Sequence, residues 1–425
     1  PQRVIATKDL SPDQLNRLLE FAERNGMRLD RLPKLTDFRT GEPRDITLRP
    51  VAIEDLLRRP QIVLDPQPVR DLVVGKRVLV TGAGGSIGSE LVRQLAPLGP
   101  SELTLLDASE LNLYQIDREV GESWPALPRQ ALLADVRDRA AVDAVFARTR
   151  PELVLHAAAL KHVPIVEAQP VEGVLTNVRG TCNLADACRR FATATMVLVS
   201  TDKAVNPTNV MGATKRLAES YCQALDLEAR RGGPGTHFVT VRFGNVLNST
   251  GSVVPLFQHQ LARGGPLTVT HPEMTRYFMT IPEAVRLILQ AAALGSHRPR
   301  ESAGKIYVLD MGAPVKIVEL AEQMIRLAGK RPYKDIEIVF TGLRPGEKLH
   351  EELFHDEETV LHTAQPGLRL AETRTTNAEI LRRSLEELLL AADAHREERT
   401  LDLLGKLVPE WGRGGEVIPL ARSRP

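Results

Sequence analysis

The sequence predicts an α/β protein, a doubly wound parallel sheet with a smaller lobe, and three observations predict it. An apolar, β-branched run at 77–81 ends in Thr81-Gly82-Ala83-Gly84-Gly85-Ser86-Ile87-Gly88 and opens directly into an amphipathic segment. From Lys76 onward, strand-like runs at 77–81, 103–107, 131–134, 153–157, 196–200 and 238–242 alternate with helical patterns. Polar or small residues recur where those runs end: Asp107, Ala134-Asp135-Val136, Ala157-Ala158-Ala159, Thr201-Asp202-Lys203 and Gly244-Asn245-Val246. Alternation of this kind builds crossover units, and a ligand then sits beyond the carboxyl ends of the strands.

The glycine-rich turn is the first element. Gly82 permits the sharp turn, Gly85 lets the backbone approach a pyrophosphate, and Gly88 lets the helix pack on the strand. Ser86 and Ile87 open the helix, where free N–H groups and the dipole favour a phosphate. The second run, Leu103-Thr104-Leu105-Leu106, ends in Asp107, where a carboxylate meets the ribose hydroxyls of a dinucleotide. An acid there disfavours a 2′-phosphate, so the expected cofactor is NAD rather than NADP. Asp135, Val136, Ala157 and Ala158 stand at the same edge and are candidate cofactor contacts.

The remaining chain is read in order. Residues 1–45 read as the tail of a truncated α/β domain, with a strand at Arg3-Val4-Ile5-Ala6. Ser11 is the expected N-cap of a helix carrying Pro12 in its first turn and Leu15, Leu18, Leu19 and Ala22 at helical spacing. Residues 46–72 read as a connector, 73–250 as the dinucleotide-binding domain and 251–355 as the smaller lobe. A strand near 306–310 is expected to return to the main sheet. Residues 356–425 read as a helical extension whose Leu381, Leu385, Leu388 and Leu389 pack on the body or on a second subunit.

Composition narrows the partners. The chain has 425 residues, long enough for about two domains, and its 55 Lys plus Arg nearly balance 54 Asp plus Glu. Bulk charge therefore points to neither nucleic acid nor an anionic membrane. Cys182, Cys188 and Cys222 have no metal-ligand spacing and read as reduced thiols within helices, so no metal is expected. No apolar run reaches the length of a membrane span. The chain begins at Pro1, which reads as a fragment or a processed form.

Taken together, Thr-Gly-Ala-Gly-Gly-Ser-Ile-Gly-Ser-Glu at 81–90, His-Ala-Ala-Ala-Leu-Lys-His-Val-Pro at 156–164 and Ser-Thr-Asp-Lys-Ala-Val-Asn-Pro-Thr-Asn-Val-Met-Gly-Ala-Thr-Lys at 200–215 carry a resemblance. His-Pro-Glu-Met-Thr-Arg-Tyr-Phe-Met-Thr at 271–280 and Arg-Pro-Gly-Glu-Lys at 344–348 extend it. The chain resembles the extended short-chain dehydrogenase/reductase family, with its Rossmann sheet. More narrowly, it is similar to bacterial UDP-N-acetylglucosamine 4,6-dehydratases of the long, membrane-anchored subgroup. The resemblance covers about residues 50 to 355 and implies a UDP-sugar substrate and a homo-oligomer. It also implies a cytoplasmic domain, attached to the bacterial inner membrane only through a region preceding the chain.

The chemistry of such a reaction assigns expected roles. The C5 proton of a hexose is not acidic until C4 is oxidised to a ketone with NAD. Water is then lost across C5–C6 and the hydride returns to C6, which calls for an acid and a base beside the nicotinamide. By resemblance, Asp202 assists loss of the C6 hydroxyl, Lys203 takes the C5 proton and Lys215 holds the nicotinamide ribose. The wider family places a tyrosine where this chain has Met211, which cannot move a proton. Thr201 is therefore a candidate to orient or relay the C4 hydroxyl proton, with Asp202 or water as acceptor. Arg276 and Arg344 match positions around the nucleotide and Glu347 lies near its ribose. Asn245, Ser252 and Val253 are expected to line the same cleft, Lys161 to contact sugar or cofactor, and Asn177 to brace the fourth crossover. A nucleotide-sugar epimerase, which uses the same C4 ketone, and a catalytically silent NAD-binding scaffold remain open alternatives.

Overall fold

Strands buried on both faces read as continuous apolar runs, and Val78-Leu79-Val80, Leu153-Val154-Leu155 and Met196-Val197-Leu198 are almost wholly buried. They belong to the larger of two compact units in a computed structural model, which describes residues 3–7, 10–32, 49–56, 64–232, 235–297 and 302–411. This unit comprises residues 62–244, 281–310 and 344–425.

Seven of its strands are parallel: β1 (Arg77–Thr81), β2 (Glu102–Asp107), β3 (Arg129–Leu133), β4 (Leu153–His156), β5 (Thr195–Val199), β6 (His237–Arg242) and β7 (Ile306–Leu309). An antiparallel hairpin, β8 (Thr359–His362) and β9 (Leu368–Glu372), completes the sheet in the order β3-β2-β1-β4-β5-β6-β7-β9-β8. The hairpin lies within 356–425, where the sequence suggested only helix. Its β8 is mostly exposed, so no apolar alternation marks it. Strand order reverses between β1 and β4, and a crevice opens at such a switch point. Register pairs Thr81 with both Leu106 and His156, so the carboxyl ends of β1, β2 and β4 lie level.

Helix α1 (Ser86–Leu95) follows the glycine turn, and the long α2 (Val210–Gly232) buries Leu217, Ala218, Tyr221, Cys222 and Leu225. The leucine-rich segment forms α3 (Ala378–Asp393) and α4 (Glu397–Leu407). Leu381, Leu385, Leu388, Leu403 and Leu404 join the apolar cluster that contains that face of α2. This cluster and the strands are the core.

The smaller unit comprises residues 1–61, 245–280 and 311–343. Strand 3–6 pairs in parallel with 28–31, which pairs antiparallel with 49–50. The intervening helix Pro12–Arg24 opens with a reciprocal cap between Ser11 and Gln14. It buries Leu15, Leu19 and Ala22, and Glu23 accepts from Arg326 Nε at 3.0 Å on helix Ile317–Leu327. A lone strand–helix–strand segment has too little apolar surface for its own core, and here it leans on that helix. Residues 281–305 and 344–355, read from sequence as part of the smaller lobe, lie in the larger unit. No helix among the described residues is long and apolar enough to cross a membrane.

Candidate active site

At the switch point the backbone makes a cradle. Gly82 has φ +66°, and a Cβ there would lie 2.7 Å from Ala158 Cα. A Cβ on Gly88 would lie 1.9 Å from Gly82 O, so helix and turn touch only because Gly88 has no side chain. Gly85 differs: its Cβ would meet only Gly82 O, at 3.3 Å. The protein's own packing does not require that glycine, whereas a ligand lying on the turn would. Asp107 ties the turn to β2, accepting from Gly84 N and Ser109 N at 2.9 Å each.

Above the turn is a cavity of about 610 Å³. Of the expected cofactor residues, Gly82, Gly85, Asp107, Asp135, Val136, Ala157 and Ala158 line it, whereas Ser86, Ile87, Gly88 and Lys215 are not in its lining. Sequence reasoning missed Asn112, Arg137, Gln169 and Glu172, which also line it. Arg137 donates to Asp135 Oδ2 and to Glu172 Oε2, both at 2.7 Å, and so links the end of β3 to the helical turn Pro170–Gly173. Burial pushes the Asp135 carboxyl up, but the hydrogen bonds from Arg137 more than offset it and leave it below its ordinary value.

Beneath the cradle, the His156 ring is buried between Thr81 and Thr181, with Nδ1 at 2.8 Å and Nε2 at 3.1 Å from their hydroxyls. Thr181 donates its hydrogen to Asn177 O at 2.7 Å, so Nε2 is the donor to Thr181 and Nδ1 accepts from Thr81. Burial, helped by the charge of Lys215, lowers the imidazole to about 3. Lys215 donates to Val199 O at 2.7 Å, and burial lowers its ammonium to about 8 against the opposing pull of Glu219. Asn177 lies in a π-helical turn, a feature frequent at functional sites. Its side chain pairs with both backbone groups of Leu160 and with Thr214, bracing the crossover.

An acid–base corner follows β5. Thr201, Asp202 and Lys203 form a single turn in which Thr201 Oγ1 donates to Asp202 Oδ1 at 2.9 Å. Lys203 Nζ lies 3.0 Å from the same oxygen. Asp202 is fully buried, and its Oδ2 has no hydrogen-bond partner among the described residues. Lys203 Nζ also lies 3.4 Å from Glu351 Oε1, a carboxylate that sequence reasoning missed. The Lys161 ammonium is lowered by burial and then by the charge of Lys203, which puts a second cation beside the first. Met211 is buried in the apolar core. The adjacent Gly212 presses so closely that a Cβ would lie 2.2 Å from Lys203 O. The arrangement can give and take protons at one place, at the end of a strand in the sheet that also carries the cradle.

The chain matches the family of polysaccharide biosynthesis proteins over residues 78–372. It belongs to that family. Its fold is that of the extended short-chain dehydrogenases/reductases. It is 46% identical to the capsular polysaccharide biosynthesis protein CapD of Staphylococcus aureus over 84% of its own length, and spans 58% of that relative. It is 33% identical to a UDP-N-acetylglucosamine 4,6-dehydratase (inverting) of Campylobacter jejuni, covering 70% of this chain and 85% of that one. A solved UDP-glucose 4-epimerase of Thermus thermophilus in complex with NAD superposes with a TM-score of 0.53 at 25% identity, covering 65% and 90% of the two chains. Relatives of this chain thus include both dehydratases and epimerases.

The other expected site residues divide between the units. In the larger unit, Arg344 is exposed and its N–H donates to Glu347 Oε2 at 3.2 Å. In the smaller unit, Asn245 N donates to Tyr277 O at 3.0 Å, and Ser252 is the N-cap of the helix Val253–Ala262. Arg276 is buried there and donates to Thr275 O at 2.7 Å.

Proposed function

We propose that this chain is an NAD-dependent 4,6-dehydratase of a UDP-N-acetylhexosamine, with UDP-N-acetylglucosamine as its substrate. One observation carries the reading: a buried carboxylate and a lysine, adjacent in sequence and 3.0 Å apart, stand at the end of β5 in the same sheet as the glycine cradle. The cradle fits a dinucleotide. Its turn exposes Gly85 to a 610 Å³ cavity, and Asp107 places negative charge where a 2′-phosphate would otherwise sit. When bound, NAD supplies the transient oxidation of C4 that acidifies the C5 proton, and its reversal at C6.

The residues of the chain do the rest. Lys203 takes the proton from C5 and Asp202 gives a proton to the departing C6 hydroxyl, so the acid and the base act on neighbouring carbons. Thr201, bound to Asp202 Oδ1, relays the C4 hydroxyl proton to that carboxylate as C4 is oxidised, and this is the proton that leaves with the C6 hydroxyl. Lys203 returns its proton to C5 as the hydride reaches C6. Lys215 is held by Val199 O and steadies the nicotinamide ribose. In the larger unit, Arg344 binds the diphosphate, while Glu347 and Lys161 complete its nucleotide and sugar contacts. Met211, packed in the core, takes no part in proton transfer.

The likeness to the epimerase structure favours a second reading, in which the C4 ketone forms but the C6 oxygen stays. Mass spectrometry after incubation with UDP-N-acetylglucosamine and NAD separates the two. Loss of one water is the expected result. An isomer of unchanged mass would instead identify an epimerase, and an untouched substrate would leave a binding scaffold.

A further inference from the structure

We propose that Glu351 is the positioning residue of the acid–base corner, fixing Lys203 Nζ in the direction from which it meets the C5 proton. The role rests on the dehydratase reading. Lysine is a flexible four-carbon stem whose ammonium has three rotatable donors, so a single ion pair leaves its tip a wide choice of positions. Here two carboxylates on two different segments hold it: Asp202 Oδ1 at 3.0 Å and Glu351 Oε1 at 3.4 Å. Contacts from opposite segments fix the torsions of the stem in a way that the neighbouring Asp202 alone does not.

The placement of Glu351 is over-determined. Its segment is fastened to the loop after Lys203 by four hydrogen bonds. Thr208 Oγ1 and Asn209 Nδ2 both donate to Gly346 O at 2.9 Å, Lys348 Nζ donates to Val205 O at 3.0 Å, and Asn206 Nδ2 donates to Glu352 Oε2 at 3.0 Å. Gly346 has φ +74°, and a Cβ there would lie 2.9 Å from Asn209 Cβ, so the close approach itself requires glycine.

Charge balance argues against simple neutralisation. Asp202 already neutralises Lys203, and a carboxylate side chain left only 4% exposed is costly to bury for no further purpose. Lys161, pushed down by burial and by the charge of Lys203, brings a second cation within electrostatic reach of the corner. Two cations and two carboxylates thus share the corner, with the Lys348–Glu352 pair beside it.

The test is incorporation of solvent deuterium at C5 of UDP-N-acetylglucosamine, with NAD bound, by wild type, Glu351→Gln, Glu351→Asp, Lys203→Ala and the Glu351→Gln/Lys203→Ala double variant. Glu351→Gln should lower kcat and C5 exchange about 100-fold with KM and NAD binding nearly unchanged, since a misplaced base loses rate rather than affinity. Glu351→Asp should recover part of the loss, and the double variant should be no slower than Lys203→Ala, because Glu351 acts through that lysine. Exchange in Glu351→Gln at the wild-type rate, or a double variant whose losses multiply, would overturn the role. Retained NAD binding shows that each variant is folded. A wild type that exchanges nothing at C5 overturns the dehydratase reading, and with it the role that rests on it.

Discussion

The cradle after β1 and the corner after β5 stand on one sheet and are built on different physical terms. The cradle is made of backbone: its specificity is steric, set by glycines whose missing side chains leave room for Ala158, for Gly82 O and, at Gly85, for a ligand. The corner is made of charged side chains from three segments, Asp202 with Lys203, Glu351 and Lys161, and its geometry is set by electrostatics and hydrogen bonds. Bulk should therefore break the first and leave the second, and neutralisation should do the reverse.

The largest effect should come from bulk, and the glycines themselves separate folding from binding. Gly88→Ala drives a methyl to within 1.9 Å of Gly82 O and has no direction in which to relax. It should lower the stability of the protein by several kcal/mol, at about 1–3 kcal/mol for overpacking alone and more where backbone must move. At Gly85→Leu the Cβ would meet only one atom of the protein within 4 Å, Gly82 O at 3.3 Å. The substitution should leave the melting temperature almost unchanged while abolishing NAD binding by calorimetry. A Gly85→Leu protein that binds NAD normally would remove the turn from the cofactor site.

Neutralising the corner comes next. Lys203→Ala should bind NAD and sugar nucleotide with ordinary affinity and lose about 10²–10⁴ in kcat, the usual worth of a general base. Asp202→Asn should lose less C5 exchange than Lys203→Ala while forming little dehydrated product, because the two act on different bonds. If Lys203→Ala exchanged deuterium at C5 at the wild-type rate, the base would have to be sought elsewhere in the corner.

The same contrast explains what could be read in the sequence. A cradle is local: strand, turn, helix and the closing Asp107 fall within one short stretch, and sterics dictate glycine at each tight place. The strands were legible for a similar reason, since burial on both faces writes a continuous apolar run, and boundaries differ by only one or two residues. The corner is assembled from distant segments. Asp202-Lys203 stood out at a strand end, but Glu351 is one acid in the acidic run Glu351-Glu352, and nothing local distinguishes the one that turns inward. Arg137 was hidden likewise, an ordinary loop arginine until the fold sets it between Asp135 and Glu172. The β8–β9 hairpin escaped notice because an exposed edge strand carries no period of two.

The smallest effect sharpens the comparison by finding a charge-sensitive part inside the shape-built region. His156 lies directly beneath the cradle, bonded to Thr81 at the end of β1, and both ring nitrogens are committed in the neutral form. Its imidazole titrates near 3 when folded, chiefly through burial, against an ordinary value of 6.5. Between those values the unfolded chain binds a proton that the folded chain refuses. Stability from this group is therefore fully present above about 6.5 and is lost as the pH falls toward 3. Linkage puts the loss between pH 7 and pH 5 at about 2 kcal/mol. His156→Gln keeps a donor and an acceptor but does not titrate, so its stability should fall less over that interval by about the same amount. Denaturant unfolding of both proteins at pH 7, 6 and 5 reads the difference directly, with carboxylates common to both cancelling. Parallel curves would mean that His156 accepts its proton in the folded state. The ground beneath the cradle would then yield to charge as readily as the corner does.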